Sequence, residues 1–298
     1  MPQVFLGDSA LVPTAEGGSG AVVDRGGEAF YRIENYHVMP PFFMSVVSAY
    51  DHWMFVSSTG GLTCGRGSPD KALFPYITDD KIHHAHSHTG PVTCLLVDDG
   101  ERTRLWQPFT PHAPVYRLTR NLYKNLEGSQ LVFEEINHEL GLTFSYTWTS
   151  GERLGFIRKG HLINHSGGQR HIRLLDGLRN LLPAGVDQML QAQRSTLLDA
   201  YKQVEVAPGL PAALYGMSSI VTDRAEPSEA LRANLVWTTG LEAPGFLLTD
   251  EQLPAFCLGS RPTSELSSRG KRAAFLVFDE LDLDDGCLLY TSPSPRDS

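Results

Sequence analysis

Apolar residues along this chain fall on alternate positions or in short blocks punctuated by Gly, Pro and Asp, the pattern of strands joined by turns. Residues 42–47 and 53–56 are the first such blocks. Residues 115–118, 131–136 and 142–148 follow, and in the last of these Leu142, Phe144, Tyr146 and Trp148 share one face. Trp148 is therefore expected in the core. Residues 156–164 and 171–175 flank Ser166, Gly167, Gly168 and Gln169, a turn sequence that predicts a hairpin between them. Asp98, Asp99 and Gly100 predict another tight turn. Strands resume near residues 230–238 and 273–278. Between Gly60 and Pro69 the glycines break the pattern into a loop-rich crossing.

Only residues 186–204 predict a helix, with Met189, Leu190, Leu197, Leu198 and Tyr201 at loosely helical spacing and no internal proline. Many strands with one helix predict a mainly β fold. An alternating strand can bury its apolar face only against a facing layer, so a large antiparallel sandwich of two packed sheets is expected over about residues 30–278.

Composition narrows the function. Hydrophobic residues at 41%, charged residues at 20%, 28 Gly and 19 Pro describe a globular, turn-rich chain. A net charge of −9 argues against nucleic acid or an anionic membrane as partner, because such binding rests on a basic field. No apolar run is long enough to span a bilayer, and the N-terminus lacks the basic head and apolar core of a secretory signal, so a cytoplasmic location is expected. Cys64, Cys94 and Cys257 follow no metal or disulfide spacing and read as buried thiols in a reducing compartment.

The run His83, His84, Ala85, His86, Ser87, His88 could present imidazoles on one strand face to a metal, but no nearby Cys or Glu completes a familiar set. A polar or sugar-contacting loop is the alternative, and no metal is expected. Trp53, Trp106 and Trp148 could stack on pyranose rings or simply fill the core. Arg66, Asp70, Asp79 and Asp80 lie on the loop-rich crossing, where they could bond sugar hydroxyls or only shape turns. The acidic residues 279–285 read as a solvated edge. No nucleophile elbow, phosphate loop, dinucleotide fingerprint or zinc-protease motif is present, and no catalytic residue is assigned.

Residues 51–66, Asp51-His52-Trp53-Met54-Phe55-Val56-Ser57-Ser58-Thr59-Gly60-Gly61-Leu62-Thr63-Cys64-Gly65-Arg66, together with residues 70–80, resemble the N-terminal domain of large cellobiose-phosphorylase-like proteins. Residues 156–164 and 175–183 resemble the same domain's central hairpin and exit. The resemblance implies a galactose-mutarotase-like super-sandwich, followed by a helical linker and an (α/α)6 barrel. That barrel would carry the general acid, an Asp, and inorganic phosphate would be the co-substrate that attacks with inversion. Within this chain no cofactor is implied.

The run from Cys287 to Asp297 reads, with permitted codons, as a translated library adapter. Residues 1–286 are thus expected to be one carbohydrate-associated domain, and residues 287–298 a tail without fixed packing. The expected partners are a gluco-oligosaccharide or other sugar, contacted by Trp53, Arg66, Asp70, Asp80, His86 and His88, and the C-terminal catalytic domain of the same protein. Without that domain the piece is expected to be inactive and to self-associate, for example as a homodimer. Two alternatives stay open: a mutarotase-like epimerase using residues such as His112, His138 and Glu139, and a structural domain that binds no sugar alone.

Overall fold

Each alternating strand has one face that is unfavourable to expose to water, and the chain hides these faces by stacking antiparallel sheets. A computed structural model describes residues 3–12, 17–110, 115–219, 231–291 and 294–296. The protein is mainly β, as the residue pattern predicts.

In chain order, β1 (Phe5–Leu6) and β2 (Ser9–Ala10) make a small hairpin, and β3 (Ser19–Arg25) pairs with β4 (Glu28–Glu34). Strands β5 (Phe43–Val46), β6 (His52–Ser57) and β7 (Leu62–Arg66) form a three-stranded sheet. A single helical turn, α1 (Ile82–Ala85), precedes β8 (Gly90–Asp98) and β9 (Thr103–Trp106). A meander follows: β10 (Leu118–Asn125), β11 (Leu131–Asn137), β12 (Leu142–Gly151) and β13 (Gly155–Asn164). Next come β14 (Arg170–Arg179), α2 (Gln188–Tyr201), β15 (Lys202–Val206), β16 (Ala212–Met217) and β17 (Ala233–Trp237). The chain continues through β18 (Gly245–Leu247), α3 (Leu253–Cys257), β19 (Ser267–Arg269), β20 (Ala274–Leu283), β21 (Leu288–Thr291) and β22 (Ser294–Arg296).

The largest sheet has the order β21-β13-β12-β11-β10-β4-β3. Two five-stranded sheets, β18-β20-β14-β8-β9 and β19-β15-β16-β17-β22, accompany it. One continuous core joins them, drawing Phe133, Phe144 and Trp148 from the large sheet, Leu95 and Phe275 from the second and Tyr215 from the third. Polar contacts cross the layers too. Arg158 of β13 reaches Asp176 of β14, Trp106 of β9 reaches Glu135 of β11, and Tyr215 of β16 donates to the carbonyl of Ala274 in β20. Among the described residues no helix is long and apolar enough to cross a membrane.

Leu142, Phe144, Tyr146 and Trp148 are all buried, as their shared face predicts, and Thr143 and Ser145 on the opposite face of β12 are buried as well. Asp98 and Thr103 close the predicted β8–β9 turn, and the acidic positions on β20, including Glu280 and Asp282, lie at the surface. The helix is shorter than its apolar spacing predicts. Asp187 caps it through a 2.7 Å bond from the Leu190 N–H, Arg194 interrupts it with non-helical angles, and β15 takes over at Lys202.

Three features depart from the sequence reading. The stretch with Gly61 and Gly65 is not only a crossing, because β7 runs through it. Residues 156–164 and 171–175 do not pair as a hairpin: β13 joins β12 in the large sheet, whereas β14 lies between β20 and β8. The Ser-Gly-Gly turn carries the chain from one layer to the other, and the buried Asn164 secures it by donating to Gly168 and Leu283 carbonyls and accepting from the Ser166 N–H. Finally, the tail expected to lack packing lies in two strands, β21 along β13 and β22 along β17, and Leu289 packs on the core. An open strand edge offers a row of unpaired N–H and C=O groups to any extended segment. Ser292 and Pro293 of that tail lie outside the described residues, as do His112 and Ala230.

Candidate functional site

Where β6 turns into β7, the chain meets the single helical turn α1. Gly61 makes this approach possible, since a Cβ there would stand 2.2 Å from the Ile82 carbonyl oxygen. The histidine-rich run is therefore helical and then turned, not a strand with imidazoles on one face. His83 Nδ1 bonds Ser57 Oγ at 2.8 Å, His86 Nδ1 bonds the His83 carbonyl at 2.9 Å, and His88 Nδ1 bonds Ser87 Oγ at 3.0 Å. Burial, with Arg272 and Arg179 nearby, holds His88 below the ordinary imidazole range. Among the described residues no three His, Cys, Asp or Glu side chains converge as a metal cage.

Arg179, at the end of β14, fastens this turn by donating to the carbonyls of His86 and Ser87 at 2.8 and 2.9 Å. Burial pulls its guanidinium below the ordinary value. Beside it opens a cleft of about 260 Å³, near the lower end for small-molecule sites, which begin at roughly 300 Å³. Its wall includes His86, Thr59, Gln107, Phe109, Tyr146 and Arg179.

Two buried networks adjoin the cleft through its lining residues Thr93, Tyr146 and Phe109. In the first, Arg158 and Asp176 are both fully buried and meet in a two-pronged pair, at 2.7 and 2.9 Å. Thr93 donates to Asp176 at 2.6 Å, and the Arg158 guanidinium lies 4.8 Å from the Tyr146 ring centre. Burial pushes the Tyr146 phenol well above its ordinary value, so it stays neutral.

In the second network, Glu135 accepts from Trp106 Nε1 at 2.7 Å, from Arg120 Nε at 2.6 Å and from the Phe109 N–H at 2.7 Å. The last bond matters because Phe109 has φ of 65°, a left-handed backbone that bulky residues rarely adopt. Its ring then stands edge-on to Tyr146, with centroids 5.2 Å apart and planes at 85°. Strain of this sort persists only where the surroundings enforce it, and it gathers at binding sites. The cleft thus pairs two aromatic rings with hydroxyl, amide, imidazole and guanidinium groups.

Most of the residues that the sequence singles out for ligand contact lie outside this cleft. Trp53 lies over Gly65, where a Cβ would stand 2.6 Å from the indole, and is edge-on to Tyr76. Arg66 pairs with Asp51 at 3.0 Å, which holds the Asp51 carboxyl below its usual range. Asp70 accepts from the Gln188 N–H at 3.0 Å and lines a different cleft, of about 250 Å³, with Pro183, Val186 and Arg232. Asp79 holds Lys81, and Asp80 is exposed just before α1. Of the six residues named for ligand contact, His86 alone lines the Tyr146 cleft.

Trp106 and Trp148 are core side chains. His138 bonds Thr119, and Glu139 accepts from the Arg117 N–H. Tyr146 was legible in the sequence only as a core position. Phe109, between Pro108 and Thr110, carried a loop signal but nothing that announced its backbone angle.

No family model matches the chain, and no curated protein matches it. Among solved structures it is similar to a polysaccharide lyase, at 11% identity and a TM-score of 0.36, over 86% of this chain and 33% of that one. It is also similar to the 4-alpha-glucanotransferase from Thermococcus litoralis, at 8% identity and a TM-score of 0.32, over 95% of this chain and 40% of that one. The chain therefore spans well under half the length of either protein.

Proposed function

We propose that this chain is a carbohydrate-associated sandwich of the galactose-mutarotase-like kind, the front domain of a glycoside-phosphorylase-like protein, and that it holds a sugar ring in the Tyr146 cleft. The observation that carries the reading is Phe109, kept in a left-handed backbone by buried Glu135 with its ring at the cleft wall. Aromatic rings offer an apolar surface to the C–H groups of a pyranose, while Thr59, Gln107, His86 and Arg179 supply groups for its hydroxyls. The resemblance of residues 51–66 to phosphorylase front domains points to the same ligand class. In this reading the general acid and the phosphate site belong to a catalytic barrel elsewhere in the parent protein, and the sandwich contributes binding and support.

Titration of a gluco-oligosaccharide against intrinsic fluorescence tests the reading. Trp106 is a suitable reporter, because its indole shares Glu135 with Phe109. A saturable change is expected in the native chain, weakened about tenfold by Gln107→Ala, in line with loss of a ligand hydrogen bond worth about 1.4 kcal/mol. The change should persist in Asp70→Ala, which alters the other cleft. A flat titration with the native chain, or equal loss in both variants, would remove the Tyr146 cleft as the sugar site.

A further inference from the structure

The fold brings together two cysteines that lie 163 positions apart. Cys94, on β8, and Cys257, the last residue of α3, have their sulfurs 3.4 Å apart. Gln107 Nε2 points at both, at 3.1 Å from Cys94 and 3.4 Å from Cys257. Cys94 is fully buried and Cys257 half-buried, so only one of the two meets solvent. Phe256 seats α3 in a small apolar cluster with Cys94, Leu96, Leu175 and Leu276, which brings the two thiols together.

We propose that Cys94 and Cys257 form a reversible two-electron oxidation site, in which Cys257 reacts first with a peroxide and Cys94 resolves it to a disulfide. Closing the bond requires the sulfurs to approach by about 1.4 Å, from their present contact to a bond of about 2.05 Å. Five-residue α3 can supply that shift, since its neighbours Leu258 and Gly259 are exposed.

The chemistry balances within the pair. The Cys257 thiolate attacks one peroxide oxygen, the O–O bond breaks, and hydroxide leaves a sulfenic acid on Cys257. Cys94 sulfur then attacks the Cys257 sulfur, the S–O bond breaks, and the departing hydroxide takes the Cys94 proton as water. In sum, two thiols and one hydrogen peroxide give one disulfide and two waters. The roles follow from exposure: Cys257 is the thiol that peroxide can reach, and Cys94 is buried behind it; the sulfur–sulfur contact and burial also raise the Cys94 thiol, while the same contact lowers Cys257. Gln107 and Leu253 also line the Tyr146 cleft, so the bond would reshape one of its walls.

The test uses the full chain carrying Cys287→Ser, which removes the exposed thiol outside the pair. Folded protein is treated with hydrogen peroxide, remaining thiols are alkylated after unfolding, and mass is measured intact and by peptide. The expected result is loss of two hydrogens, a single link between the Cys94 and Cys257 peptides, and full reversal by dithiothreitol. Adding Cys257→Ser should leave Cys94 alkylatable at the same exposure. If that variant does not fold, the parent treated in urea serves instead, with links expected to scatter among Cys64, Cys94 and Cys257. Over-oxidation of Cys257 without a link, or two thiols that stay alkylatable in the folded chain, would overturn the proposal.

Discussion

Two arginine–aspartate pairs divide the molecule instructively. Arg66 and Asp51 meet at 3.0 Å at the end of the outer three-stranded sheet, with side chains 33% and 56% exposed. Arg158 and Asp176 meet at 2.7 Å beside the Tyr146 ring, both at 0% exposure. The residue types are the same, and each pair links neighbouring segments. Water solvates the outer charges whether or not they pair, so the contact there adds little. Inside, neither ion could exist without the other, and Thr93 and Tyr146 complete the arrangement. Depth, not composition, decides which pair shapes a site.

The largest expected effect breaks this comparison directly. Asp176→Asn takes away the carboxylate that Arg158 meets in the core and should cost about 3–5 kcal/mol in urea unfolding. Asp51→Asn should leave the unfolding midpoint unchanged. Similar small losses at both positions would mean that the inner pair is replaceable by its surroundings and that the contrast fails.

A smaller effect sharpens the inner region. Phe109→Ala and Phe109→Gly both delete the ring, but glycine accepts positive φ without a penalty. The glycine variant should therefore be the more stable of the two by about 1 kcal/mol, while both lose the sugar-dependent fluorescence change. An alanine variant as stable as the glycine one would show that the left-handed angle is not enforced.

A further effect appears with pH. Burial, aided by the Arg120 charge, lowers His37 to about 4 from its ordinary 6.5. The fold thus favours the neutral ring over the charged one. Its contribution is complete above pH 6.5 and is lost as pH falls from there through about 4. Urea midpoints measured over this window should fall less steeply for His37→Gln than for the native chain. Parallel curves would discount His37 as a source of acid sensitivity.

Much of the strand architecture was legible before any coordinates. The shared face of Leu142, Phe144, Tyr146 and Trp148, the turn at Asp98 and Asp99, and a helix near Asp187 all follow from local pattern and local hydrogen bonding. Period-two alternation reports which face of a strand is buried, because burial acts on side chains that differ from one position to the next. The candidate site was much less legible. The Gly-rich crossing and its flanks carry Trp53, Arg66 and Asp70 as the conspicuous side chains, but in the fold their neighbours are Gly65, Asp51 and Gln188.

What the sequence determined by itself was therefore the class of fold, the apolar faces of several strands and a net negative charge. Only the tertiary structure decided that β13 and β14 belong to different layers, since backbone N–H and C=O groups are nearly alike at every residue and do not encode an edge partner. It also decided that Phe109 is held by Glu135, and that Cys94 touches Cys257. These contacts join residues that are distant along the chain, and local pattern carries no information about which distant residue will close the same small volume.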